Sequence, residues 1–242
     1  MNNAKYWIIA LAVVVAAALV ARAYTYKFRA QQTIVVTGLG ETEFASDKIV
    51  WSGTLTAEAP TAAAGYAQIE QSKAKVLAFI TSKGIDAKNV VFEFVNSDKQ
   101  YQPVYNANGN WAGQRFTGYE LRQRFVIESE NVELIEEISR EISSLIAQGV
   151  SIEAYAPDYY YTKLDDVKMG LIETASADAR QRAEKIATNA GAKLGRVLSA
   201  RMGVFQITGA NTNESFSAGG SFNTSSRQKK ARITMRIEYR VK

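Results

Sequence analysis

From residue 231 to 241 the chain alternates strictly. Ile233, Met235, Ile237, Tyr239 and Val241 fall on one side of an extended strand, and Arg232, Thr234, Arg236, Glu238 and Arg240 fall on the other. Such a strand has one face to bury and one to leave wet, so it belongs in a sheet with a single covered face. Residues 48–57 repeat the pattern, with Ile49, Trp51, Gly53, Leu55 and Ala57 on one side and Val50, Ser52, Thr54 and Thr56 on the other. Residues 119–128 do so again, with Tyr119, Leu121, Gln123, Phe125 and Ile127 opposed to Glu120, Arg122 and Arg124. Strands of this kind need an apolar layer laid over one face.

Three helical patterns supply candidates for that layer. After Pro60, with Thr61 as cap, the residues Ala62, Tyr66, Ile69, Val76 and Ile80 keep helical spacing up to Gly84. Asn131 caps a second pattern, Ile135, Ile138, Ile142 and Leu145, stopped by Gly149. The third runs from about residue 164 to 190 with Ile172, Ala175, Ala179, Ala183, Ile186 and Ala190 on one seam. Its alanines let it lie close to whatever it covers. Asp165 and Asp166 suit its N-terminus electrostatically, and Asp178 with Arg182 and Arg180 with Glu184 are spaced as i,i+4 pairs. Shorter strands are expected near 32–36, 90–95, 150–155 and 196–208. The order strand, helix, strand occurs twice. The expected fold class is α+β: two β-α-β-type units with mixed or antiparallel sheets covered by helices, preceded by one N-terminal hydrophobic helix. Residues 98–118 read as a polar loop or hairpin with a turn at Asn108-Gly109-Asn110, and residues 209–230 as a flexible loop rich in Asn, Ser and Gly.

The hydrophobic helix is the run YWIIALAVVVAAALVA, residues 6–21, with Lys5 before it and Arg22, Lys27 and Arg29 after it. Sixteen residues span about 24 Å of helix, short for a bilayer. Tyr6 and Trp7 at one end and Tyr24 and Tyr26 at the other suit membrane interfaces. Two readings stand: an uncleaved inner-membrane anchor, or a signal peptide cut near Ala23 at Ala21-Arg22-Ala23 to leave a soluble periplasmic protein. Residues 1–31 form this segment with a short linker, and residues 32–242 form the domain, expected outside the cytoplasmic membrane.

The chain has no cysteine and no histidine. That excludes disulfides, thiol nucleophiles, Ser-His-Asp triads and His- or Cys-based metal sites within one chain. Gly38-Leu39-Gly40 is too short for a dinucleotide fingerprint, and neither a phosphate-binding loop nor an EF-hand loop is present. No catalytic, cofactor-binding or metal-binding residue is expected. The net charge is +5, and two of the positive side chains, Lys5 and Arg22, fall within residues 1–23. The domain is therefore weakly basic, and no nucleic-acid partner is expected.

Four residue groups remain as candidate sites. In YAPDYYYTKLDD, residues 155–166, a strand would place Tyr159 and Tyr161 on one face and Tyr160 on the other. Packing is the expected role, with Tyr159 and Tyr161 as the row for a subunit contact. Tyr101, Tyr105 and Trp111 make 98–118 the place for a ligand. Arg232, Arg236 and Arg240 form a basic strand face, suited to anions or to solvent, with Glu120 as a cross-sheet partner. Ser225 or Ser226 with Lys229 or Lys230 has the composition of a hydrolytic dyad, but a flexible loop lacks the rigidity that such chemistry needs.

Three segments taken in order resemble the SIMPL-domain family of bacterial envelope proteins. They are VVTGLGETEFASDKIVWSGTLTAEA at 35–59, KGIDAKNVVFEFVNSDKQYQPVY at 83–105 followed by GYELRQRFVIES at 118–129, and ETASADARQRAEKIATNAGAKLGRVLSARMGVFQIT at 173–208. The closing SSRQKKARITMRIEYRV is similar to the last strand of the membrane-anchored subgroup. The resemblance implies an α+β domain exposed to the periplasm, a structural or stress-protective role, and homo-oligomers. It carries over no catalytic residue. The alternative is a binding module for a small molecule or envelope polymer, using the 98–118 and 209–226 loops.

Overall fold

A computed structural model describes residues 3–29, 32–215 and 217–242. A helix α1 (Asn3–Arg29) precedes the domain. The domain then runs β1 (Thr33–Ala45), β2 (Lys48–Ala59), α2 (Ala62–Ser82), β3 (Val90–Tyr105), β4 (Trp111–Ser129), α3 (Val132–Glu141), β5 (Ile152–Ala154), β6 (Asp158–Tyr160), α4 (Leu164–Asn189), β7 (Leu194–Met202), β8 (Gln206–Gly209) and β9 (Gln228–Val241). This is an α+β fold, and the pairings between named strands are antiparallel.

Two sheets form. In the first, β3, β4 and β2 lie in that order, and β5 and β6 share the far edge of β2. In the second, β9 lies between β1 and β7, and β8 also pairs with β9. The units are nested rather than consecutive. β1 pairs with β9 from Thr33↔Arg240 to Ala45↔Gln228, so the second sheet is closed by the two ends of the domain.

The alternating strands bury the faces that their pattern assigns. Ile49, Trp51, Leu55, Leu121, Phe125 and Ile127 meet Ile69, Val76 and Ile80 of α2 and Ile135 and Ile138 of α3. Trp51 meets Phe125 edge-on at 5.5 Å, and its indole N–H donates to Tyr155 O at 2.9 Å. In the second core Ile233, Met235, Ile237 and Tyr239 face Leu171, Ala175, Ala179 and Ala183 of α4. The alanine seam works as its composition implies. A Cβ on Gly38 would lie 2.1 Å from Ala175 O and 2.5 Å from Ala179 N, so the helix backbone rests on the strand.

Local signals set the helix starts. Ala64 N–H donates to Thr61 Oγ1 at 3.3 Å, and Leu134 N–H donates to Asn131 Oδ1 at 3.2 Å. The second helical pattern is α-helical only to Glu141. It tightens to a 3-10 helix over Ile142–Gln148 before Gly149, at φ 77°. The strand expected over 196–208 is two strands. Gly203 breaks it, its N–H donating to Thr234 O at 2.8 Å, and β7 and β8 then take successive stretches of β9.

Residues 98–118 are the outer half of one long β3–β4 hairpin. Its turn is held by Asn106 Oδ1, which accepts from the N–H groups of Asn108 and Asn110, each at 3.0 Å. The helix α1 is 27 residues long, about 40 Å. Its apolar part, Tyr6–Tyr26, has 21 residues and runs straight through Arg22. It is therefore longer than the sixteen-residue uncharged run, and about 31 Å of it matches a hydrocarbon core.

Candidate functional site

The β3–β4 hairpin outgrows its sheet. β2 ends where Ala59 faces Tyr119, and beyond that point β3 and β4 pair only with each other. Tyr101 sits opposite Phe116, Pro103 opposite Gln114, and Tyr105 opposite Trp111. Directly opposed residues share a face, as do alternate residues of one strand. Tyr101, Pro103, Tyr105, Trp111 and Phe116 therefore lie on one face of a two-stranded arm. The rings touch in sequence: Tyr101 meets Phe116 at 5.7 Å, and Phe116 meets Tyr119 at 5.3 Å, both edge-on. Register shifts at Gln100/Tyr101 and Val104/Tyr105 keep these rings on one side.

The arm is exposed along its length, and Trp111 at its tip is 67% accessible. Tyr119, at the root, is half-buried and continues the row into the first core. Beside the root, Tyr66 and Lys73 of α2, Phe94 and Val95 of β3, and Leu121 line a groove of about 510 Å³. The structure thus brings together Tyr101, Tyr105 and Trp111. It adds Phe116 and Phe94, which sequence reading passed over. Phe116 is out of phase with Tyr119 in the alternation of β4 and joins its face only through the shift at Gln100/Tyr101, and the exposure of Phe94 likewise accompanies an irregularity between Phe92 and Val95.

The other candidates lie elsewhere. The 209–226 stretch is near the opposite end of β2, where Tyr159 N–H donates to Thr224 O at 2.7 Å beside the Ile49↔Tyr159 pair. It and the 98–118 arm are separated by most of the length of β2 and do not form one pocket. The 209–226 stretch is also pinned. Gly209 N–H donates to Glu214 Oε2 at 3.1 Å, Gln206 Nε2 donates to Ser217 O at 2.7 Å, and Asn223 N–H donates to Ile207 O at 3.0 Å.

Tyr159 and Tyr161 both pack within the chain. Tyr159 pairs in β6 with Ile49, and its hydroxyl donates to Glu136 Oε1 at 2.9 Å. Burial first, and then this carboxylate, push the phenol up to about 12. Tyr161 lies past the end of β6 and stacks at a tilt on Phe44, 4.6 Å away. Arg227 joins the same cluster, pairing with Glu133 and with Glu136. The result is a polar seam between the two units that sequence reading missed, because Arg227 and Glu136 are 91 residues apart.

Arg232, Arg236 and Arg240 lie on the outer face of the second sheet. Arg232 pairs with Glu41 at 3.2 Å. Glu120, expected as a partner, belongs to the other sheet, where it holds Arg122 and accepts from Gln100 Nε2 at 2.6 Å. Lys229 is 1% exposed, donates to Asn223 O, and is lowered in pKa by burial. Lys230 pairs with Glu41 at 3.3 Å, and Ser225 Oγ lies 3.2 Å from Asn223 Nδ2. Neither lysine meets a serine hydroxyl. Asp165 is engaged with Lys168 at 3.2 Å, and among the described residues no three acids converge on a metal-sized site.

A family model described as SIMPL, protein of unknown function (DUF541), matches residues 34–241. No curated protein matches the chain.

Proposed function

The chain belongs to the SIMPL family, a family of unknown function, and on that premise we propose a non-enzymatic, membrane-tethered envelope protein that self-associates through its β-arm. In this reading α1 crosses the cytoplasmic membrane and the domain stands on the periplasmic side, with a structural or stress-protective role. The aromatic face of the arm carries the reading. Tyr105 and Trp111 are among the most exposed large side chains of the domain and have no core to enter. Aromatic rows of this kind are enriched where proteins meet. The β3 edge supports it too, since in its sheet β3 has a neighbour on one side only.

The test is the solution mass of residues 32–242. Both cores are built from residues 34–239, and α1 is absent from them. A discrete mass many times that of one chain is expected. A monomer at every concentration rules out association through the domain. The alternative is a binding module, for which the 510 Å³ groove beside Tyr66 and Phe94 is the observation in favour.

A further inference from the structure

Two features of the second sheet meet at its edge nearest α1. The first is a short tether. α1 ends at Arg29 and the described chain resumes at Gln32, so at most about 11 Å of chain separates them. Gln32 is already in the sheet, because Val241 N–H donates to its carbonyl at 2.9 Å. The second feature is charge. Lys193 and Lys242 exchange both backbone hydrogen bonds, at 2.9 and 2.8 Å, and Arg240 sits opposite Thr33. With Arg196 they place four cations on one end of the sheet. Lys193, Arg196 and Lys242 are exposed and Arg240 is half-buried.

Several cations elsewhere on this unit are matched to acids, namely Arg180 to Glu184, Arg182 to Asp178, Lys168 to Asp165 and Lys230 to Glu41, whereas Lys163, Lys185, Arg201 and Arg236 stand without an ion pair among the described residues. Among the described residues Lys193, Arg196, Arg240 and Lys242 enter no ion pair. Glu184 holds Arg180, and Glu238, two residues before Arg240, accepts from Ser199 Oγ at 3.3 Å and keeps its charge, one acid against four cations. Val197 and Leu198 are exposed next to Arg196.

After a span over Tyr6–Tyr26 the helix continues to Arg29, so Gln32 lies at most about 15 Å along the chain from the end of the span, and the headgroup layer takes up about 5–7 Å of that. The covalent chain therefore keeps the sheet end within about 10 Å of the headgroup surface, the distance over which charges are still felt in physiological salt. We infer that this end, carrying Lys193, Arg196, Arg240 and Lys242, is a docking surface for the anionic phospholipid headgroups of the same bilayer. The inference rests on the membrane-anchored reading above and does not depend on which side of the membrane the domain occupies. Tethered cations at a bilayer surface are attracted to acidic lipid and screened by salt. Docking fixes the tilt of the domain on its anchor and so the direction in which the arm is presented.

The test uses the full chain in nanodiscs. No native cysteine competes, so Leu198→Cys carries a nitroxide whose access to a water-soluble paramagnetic reagent is measured. In phosphatidylcholine doped with phosphatidylglycerol, access falls about three-fold or more relative to phosphatidylcholine alone. The difference disappears in molar salt and in the combined variant Lys193→Glu, Arg196→Glu, Lys242→Glu. A label equally exposed in both membranes, in protein that stays in the nanodisc, overturns the inference and leaves the anchor standing. Protein that leaves both kinds of nanodisc overturns the anchor, and the inference with it. Thermal melting of the charge variant controls for folding, and the neutral variant Lys193→Gln, Arg196→Gln, Lys242→Gln provides a second, milder arm with an intermediate loss.

Discussion

The hydroxyl of Tyr159 donates to Glu136 Oε1 at 2.9 Å, and that bond ties β6, the strand that leads into α4, to the helix layer of the first sheet. Arg227, just ahead of β9, pairs with the same carboxylate from the other unit. Tyr159→Phe removes one bond to a charged acceptor that keeps a second partner, so a loss of about 1 kcal/mol is expected in urea unfolding. The phenol is raised to about 12 from 10.0, with burial the first cause. The folded state therefore holds its proton longer than the unfolded chain. This contribution is intact below pH 10 and is lost as pH rises towards 12. Stability of the wild type falls over that window more steeply than that of Tyr159→Phe. Equal slopes would show that Tyr159 is not buried as described.

Gly38 carries the closest approach of α4 to its sheet. Gly38→Ala puts a methyl 2.1 Å from Ala175 O, a backbone atom that cannot swing aside. Overpacking of this kind costs about 1–3 kcal/mol. Gly84→Ala is the informative comparison. Its Cβ meets open space, but φ is +97°, so any loss there is backbone strain alone. A Gly38→Ala protein as stable as wild type would contradict the contact.

Asp178 binds two elements at once. It accepts Leu39 N–H at 2.8 Å and pairs with Arg182 on its own helix at 2.9 Å. Leu39 belongs to β1, an edge strand, so the carboxylate takes up an amide of an edge strand. Arg182 first, and then the Leu39 amide, hold its pKa below 3.8. A lowered carboxylate contributes stability that is present above the unfolded pKa and lost as pH falls through the folded one. Asp178→Asn is expected to show a weaker acid dependence below pH 4 than wild type. Chemical unfolding across that range reads the difference.

Lys229 is the one buried cation among the described residues, and burial lowers its pKa below 10.5. The folded state therefore releases this proton more readily than the unfolded chain. The sign is opposite to that of Tyr159. The contribution is present above pH 10.5 and is lost as pH falls through the depressed folded value. Lys229→Met keeps the volume and removes the charge, leaving Asn223 O without its donor. The variant should lose the rise in stability that wild type shows on approaching pH 10.5 from below. A parallel pH profile would place the ammonium in water instead.

The arm offers the reverse case, residues that matter to association and not to folding. Tyr105 and Trp111 are 61% and 67% exposed. Tyr105→Ala with Trp111→Ala is expected to shift unfolding by less than about 0.5 kcal/mol. The same variant should reduce the mass of residues 32–242 towards that of one chain. Unchanged assembly would move the contact surface to the open strand edges.

Secondary structure and its covered faces are written locally, which is why Trp51, Phe125 and Ile233 are buried where their alternation puts them, and why Thr61 and Asn131 cap helices. Period-two patterning decides which side of a strand is apolar, and the alanines of α4 decide how close it lies. The apolar N-terminal run likewise announces a helix, although its length came from the residues on either side of Arg22. Pairing is a different matter. No local signal says that β1 joins β9 across the whole domain, or that Arg227 meets Glu136, because the contact energy is not in either segment alone. The arm was half legible: Tyr101, Tyr105 and Trp111 stood out in a polar stretch. Only the register, with its bulges, set them on one face with Phe116, and only the early end of β2 left that face uncovered. Local pattern sets which residues prefer burial; which of them find a partner within the chain is settled by the assembled fold, since burial needs a second surface and that surface comes from distant residues.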